Sequence, residues 1–210
     1  MRNTLKLGAI AAIATLAMPA DVLAQVCVGE PVGAGQSSLQ FGLGFPGGGT
    51  AYSGSVRSNP AGAVSYEAGY TLTDADNAAS PNMHTISGRA EYELPLQVVG
   101  ACASGGLGWS TASDDGGDLT AWSIPLGVGF GLEMPTQSGF SIIPHVMPMF
   151  VWQRVSVEAL GLTVSASDTA FGFLGGLTVG TESIFGAVRV TTTTFEGDDA
   201  TFSLEGGFLF

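Results

Sequence analysis

Residues 85–94 read Thr85-Ile86-Ser87-Gly88-Arg89-Ala90-Glu91-Tyr92-Glu93-Leu94. Ile86, Gly88, Ala90, Tyr92 and Leu94 fall on one parity and Thr85, Ser87, Arg89, Glu91 and Glu93 on the other, so one face is apolar and its opposite wholly hydroxylic or charged. Side chains alternate across a strand with a period of two, and no helical period accounts for this division. The segment predicts a β-strand with one face against an apolar medium.

The same division spreads in both directions. Upstream, Leu39 to Phe45, Tyr52 to Arg57 and Val64 to Thr73 alternate, separated by the Gly-rich turn 46–49 and by Asn59-Pro60-Ala61-Gly62. Downstream come Val98 to Ser110, Thr120 to Leu132, 139 to 153, Phe171 to Val179, Ile184 to Thr193 and 201 to 210. In the seventh segment Phe140, Ile142, Val146, Phe150 and Trp152 share a face, but Ile143, Met147, Met149 and Val151 lie opposite, which leaves its register open. The reading is an all-β chain forming a closed antiparallel up-and-down transmembrane β-barrel. It has ten strands, or eight if the first hairpin or the seventh segment is miscounted. Segments of roughly 9 to 11 residues are the length a tilted strand needs to cross the hydrocarbon.

Residue size decides which face points outward. Gly, Ser and Thr dominate the polar face and suit a crowded concave interior, while the bulky aliphatic and aromatic side chains suit a convex lipid surface. Gly numbers 32 and charged residues make up 11% of the chain, yet beyond residue 24 no apolar run reaches the roughly 20 residues of a membrane helix. A soluble barrel, such as a lipocalin-like ligand carrier, alternates too, but its outer face needs many Lys and Glu. Tyr52, Tyr70, Tyr92, Trp109, Trp122 and Trp152 lie near segment ends, where interfacial aromatic girdles form.

The first 24 residues carry Arg2 and Lys6, an apolar run from Leu7 to Met18, then Pro19 and Val22-Leu23-Ala24, the order of a secretory signal peptide. Removing these 24 of 210 residues leaves 186, enough for one domain. The remainder holds four Arg, no Lys and 17 Asp plus Glu, a formal charge of −13. Phosphate backbones are bound by Lys and Arg clusters, so nucleic acid is excluded as a partner. Export to an oxidising compartment makes a disulfide between Cys27 and Cys102 the default reading.

At the C-terminal end Phe202, Leu204, Gly206, Phe208 and Phe210 alternate up to the last residue. This pattern resembles the signal by which outer-membrane proteins are recognised for assembly. Joined to the signal peptide and the alternating segments over residues 36–210, it is similar to the bacterial outer-membrane β-barrel superfamily that includes small OmpA/OmpX-type barrels. The resemblance implies an integral, monomeric protein of the Gram-negative outer membrane, in contact with outer-membrane lipid and lipopolysaccharide and with the barrel-assembly machinery during biogenesis. It implies no cofactor and no single function.

With both termini in the periplasm, residues 25–35 form an N-terminal periplasmic tail, and a Cys27–Cys102 bond would pin it at the barrel mouth as a tether or partial plug. The inward charges are Arg57, Glu67, Arg89, Glu91, Glu93, Glu133, Arg189 and Glu205, with Arg89 placed to pair with Glu67 and Arg189 with Glu205. They form a lumen charge network that fills a narrow barrel, or alternatively a constriction that selects ions in a small channel. Acidic loops at Asp74 and Asp76, at Asp114, Asp115 and Asp118, and at Asp198 and Asp199 have no EF-hand spacing, and no metal site is assigned. With only His84 and His145 and short loops, no catalytic residue is assigned and the chain is read as a non-enzyme.

Overall fold

The computed structural model describes residues 26–60, 63–76, 81–94, 96, 99–114, 117–159, 161–195 and 199–210. The leader read from the sequence lies outside them. The described chain begins with a short 3-10 turn, Val26–Val28, and continues into β1 (Ser37–Phe45), β2 (Gly49–Ser58), β3 (Val64–Ala75), β4 (Met83–Leu94), β5 (Gly100–Asp114) and β6 (Gly117–Gly131). A two-residue β7 (Met134–Pro135) then precedes β8 (Ser141–Ala159), β9 (Leu162–Gly180), β10 (Ile184–Thr193) and β11 (Thr201–Leu209).

The strands β1 to β6 pair antiparallel in sequence order, as do β7 to β11, while β1 pairs with β11 and β6 with β8, so the sheet closes on itself. The ten long strands form the barrel, and β7 is a small ladder within the 132–140 turn. At the seam Ser37 and Phe210 exchange backbone hydrogen bonds of 2.8 and 2.9 Å, and the closed ladder leaves no sheet edge around the spanning part. Prolines inside strands have a local cost, because they lack the N–H the ladder needs. The β5–β6 register is interrupted beside Pro125 and the β6–β8 register beside Pro148.

The outer face carries Phe41, Tyr66, Tyr70, Ile86, Tyr92, Leu126, Phe150, Phe171 and Phe208, all exposed. The opposite parity holds the small and polar residues, as the size argument requires. A soluble carrier with its apolar face inside is thereby excluded.

Two features depart from the reading of the sequence. The seventh segment acquires a fixed register: Ile143, His145, Met147, Met149 and Val151 point inward and are buried, while Val146, Phe150 and Trp152 point outward. Its interior face is apolar because the N-terminal segment packs on it. The second departure is length. β8 and β9 run to 19 residues each, about twice the span needed to cross the bilayer, and pair in register to a tight turn where Ala159 faces Leu162 and Gly161 has φ +75°. Along β9, the ladder to β10 stops at Gly172 with one further backbone hydrogen bond from Thr194 to Phe171, so residues 162–170 are paired, among the described residues, only with β8.

Candidate functional site

The interior of the barrel at the end where the termini lie is occupied by the chain's own N-terminal segment. The residues read as a tail pinned at the barrel mouth are drawn inside because they present an apolar and an acidic group to two matching walls. Cys27 is bonded to Cys102 on β5, with a Cα–Cα separation of 5.7 Å. Cys27 and Val28 pack with Cys102, Met147, Met149 and Val151, and Leu174 and Phe195 lean on this cluster. Gly129 lets them approach: a Cβ there would stand 2.6 Å from the Cys27 carbonyl oxygen and 3.0 Å from the Cys102 sulfur. Gly29, in the left-handed region at φ +76°, lies against the His145 ring so closely that any side chain would overlap it. Thr178, fully buried on β9, donates to the Gly29 carbonyl.

Glu30 follows, with no exposure to solvent, and meets the charged wall. One carboxylate oxygen lies 3.0 Å from Arg57 Nη1 and accepts a 2.6 Å hydrogen bond from Gln40. The other lies 3.4 Å from Arg189 Nη2 and 3.8 Å from Arg89 Nη2. Burial works to raise the Glu30 pKa, but Arg57, Arg189 and Arg89 together outweigh it and lower it from 4.5 to about 2. The segment leaves the lumen past Val32, which has no solvent exposure, and is tied to the end of β2 by hydrogen bonds from Gly35 to the Asn59 carbonyl and from Asn59 to the Gln36 carbonyl.

Around Glu30 the inward charges interlock. Arg57 pairs with Glu91, and its Nη2 also donates to Ser65 at 2.9 Å. Arg89 pairs with Glu67 and with Glu91, the latter at 3.1 Å. Arg189 pairs with Glu205 at 2.6 Å. Glu30 therefore joins pairs on β2, β3 and β4 to the pair on β10 and β11. Register explains the proximity, since Arg57, Glu67 and Arg89 are successive cross-strand partners.

Of the sequence-assigned network, Arg57, Glu67, Arg89, Glu91, Arg189 and Glu205 are brought together. Glu93 is not: it shares the inward parity but sits opposite Cys102, and among the described residues no ion pair is made to it. Glu133 lies in the 132–140 turn and accepts a hydrogen bond from Ser141 at 2.6 Å. Sequence reasoning missed Glu30, the residue that connects the network, because it stands outside any alternating segment. Its signal was indirect, namely the inward apolar run Ile143, Met147, Met149 and Val151, which needed an apolar partner inside the barrel.

Beyond the network, towards the end away from the termini, a cavity of about 100 Å³ opens. Ser53, Ser55, Thr71 and Ser87 line it, with Glu67, Arg189 and Glu205 at its floor. Of the two histidines, His145 is buried against Gly29, and His84 faces outward and hydrogen-bonds Tyr70 Oη at 2.6 Å. Phe202, Leu204, Phe208 and Phe210 are all exposed on the outer face of β11 and just beyond it.

No family model and no curated protein matches this chain. Among solved structures it is similar to the N-terminal β-barrel domain of OprF from Pseudomonas aeruginosa, at 15% identity and a TM-score of 0.39, covering 85% of this chain and 99% of that one. It is also similar to Ail, the attachment invasion locus protein of Yersinia pestis, at 15% identity and a TM-score of 0.40, covering 84% and 99%. The KdgM porin aligns at 7% identity and a TM-score of 0.39, covering 81% and 98%. Identities this low concern the fold alone, and the structural neighbours of this chain are outer-membrane β-barrels.

Proposed function

We propose that this protein is an integral outer-membrane barrel, exported by its leader, whose role is structural or lies in surface interaction, and whose lumen is closed to diffusion. The observation that carries this is the buried N-terminal segment, held across the lumen by the Cys27–Cys102 bond at one side and by Glu30 among Arg57, Arg89 and Arg189 at the other. A solute crossing the barrel would have to displace both attachments. The outward band of large apolar side chains supports residence in a bilayer, and beyond it the β8–β9 hairpin turns Ser156, Glu158, Thr163 and Ser165 to the outward parity. In this reading the chain acts as a monomer, surrounded by outer-membrane lipid and lipopolysaccharide, and the β11 pattern ending in Phe210 is its signal to the assembly machinery. No catalytic role is assigned.

A narrow channel for ions or small solutes is the second reading, favoured by the polar cavity beyond the network. Planar-bilayer recording separates the two. The closed barrel predicts silence from the oxidised wild type after verified insertion, and discrete steps once Glu30→Ala is combined with Cys27→Ser and Cys102→Ser. Reproducible steps from the oxidised wild type would overturn the closed reading in favour of the channel.

A further inference from the structure

Of the four arginines beyond the leader, Arg57, Arg89 and Arg189 are committed to the interior, whereas Arg154 faces outward and is exposed. No ion pair is made to Arg154 among the described residues. Its level on the barrel wall can be read from register. Across β6, β8 and β9, successive outward rows run Leu126–Phe150–Phe171, Ile124–Trp152–Thr169, Trp122–Arg154–Ser167, Thr120–Ser156–Ser165 and Asp118–Glu158–Thr163. On the other side of Trp122 the Arg154 row continues through Trp109 to Ile86.

These rows form a gradient from aliphatic and aromatic, through tryptophan and arginine, to hydroxyl and then carboxylate. Such a sequence marks the passage from hydrocarbon to headgroup, where tryptophans collect and a long cationic side chain reaches the polar layer while its stem stays on apolar surface. Arg154 stands two rows above the purely apolar Leu126–Phe150–Phe171 row, with Ile124, Trp152 and Thr169 between them. The next rows offer hydroxyls and then the opposed carboxylates of Asp118 and Glu158, which repel an anion held any higher. From this placement, and on the membrane reading above, we propose that Arg154 and its Trp122 and Ser167 neighbours form a binding site for the phosphate of a lipid in the leaflet away from the termini. Ile124, Trp152, Leu126 and Phe150 lie below to receive its acyl chains. The planar guanidinium suits phosphate oxygens, and the flanking serine adds a hydroxyl donor.

The test is native mass spectrometry of the folded protein in detergent, titrated with phosphatidylglycerol and, in parallel, with a diacylglycerol that lacks phosphate. Arg154→Gln removes the charge-assisted hydrogen bond and is expected to lower the retained phosphatidylglycerol about tenfold or more. Arg154→Lys keeps the charge and is expected to fall between the two. Equal retention by Arg154→Gln and wild type, or equal retention of the phosphate-free lipid, overturns the site. Flotation of the wild type with lipid vesicles tests the underlying reading separately. Protein left out of the vesicles would remove the membrane assignment and the site together, whereas floating protein with undiminished lipid on Arg154→Gln removes the site alone.

Discussion

The two inner walls of this barrel differ as much as the inside of a membrane barrel permits. On β2, β3 and β4 the lumen face carries Arg57, Glu67, Arg89 and Glu91, whereas on β8 it carries Ile143, Met147, Met149 and Val151. An empty or water-filled lumen would give no reason for the apolar wall, and a fully apolar filling would deprive Arg57, Arg89 and Arg189 of the one carboxylate they share. One short segment, Cys27 to Val32, satisfies both by placing Cys27 and Val28 on the apolar side and Glu30 on the charged side. The closure is therefore double and its two halves are chemically independent, so each can be broken without the other.

The charged half should give the larger effect. Glu30→Ala leaves Arg57 buried without one of its carboxylate partners, and breaking a buried ion pair by removing one member costs about 3–5 kcal/mol. The expected outcome is a barrel that unfolds at lower temperature on heating in detergent, read as earlier loss of the fast-migrating folded band on a denaturing gel. Acid should mimic the substitution. The Glu30 pKa is lowered on folding, so its stabilisation is complete above about 4.5 and is lost as pH falls towards about 2. Glu30→Ala should therefore lie closer to the wild type in melting temperature at pH 2 than at pH 7. An unchanged gap would show that the segment is held by its apolar half alone.

The apolar half should come next. The disulfide joins residues 75 apart, and bonds of this kind typically stabilise by about 2–4 kcal/mol. The Cys27→Ser, Cys102→Ser double variant should melt earlier than the wild type without reductant and match it with reductant. Because Val28 and Glu30 keep their contacts, the segment should remain in place, and protease protection of residues 27–32 checks this. Cleavage within the segment in the double variant alone would mean that the disulfide is the only effective attachment.

How much of this was legible in the sequence follows from where periodicity operates. Strands such as 85–94 announce themselves because a two-residue period survives whatever the neighbouring strand does, and the pairings Arg89 with Glu67 and Arg189 with Glu205 follow from parity and adjacency. The cysteines could be paired on compartment and number alone. Glu30 has no such signature: it sits in a Gly- and Pro-containing stretch with no period, and its importance arises only when the sheet closes around it. Met147 and Met149 were visible as an irregularity without a cause until Cys27 and Val28 were placed against them. The upper part of β8 and β9 was missed for a different reason. Beyond the hydrocarbon the alternation inverts, with Val155, Val157, Val164 and Ala166 on the inward parity and Ser156, Glu158, Thr163 and Ser165 on the outward one, so the lipid-facing period that marks a spanning strand ends at Trp152 and resumes only at Phe171.

That extension provides the smallest predicted effect and the sharpest contrast with the closed interior. Leu162 and Val164 are 72% and 71% exposed, on a stretch of strand that beyond Phe171 pairs, among the described residues, with β8 alone. A substitution there removes little buried surface and touches neither wall, and exposed sites away from special features usually change stability by about 0.5 kcal/mol or less. Val164→Thr keeps the β-branched shape that a strand favours while removing apolar surface. It should leave the melting temperature and the lipid retention at Arg154 unchanged, and any change should appear only in association with a surface partner. A marked loss of barrel stability in Val164→Thr would mean that the hairpin is packed against something in the membrane, and that the inside and the rim of this barrel are coupled after all.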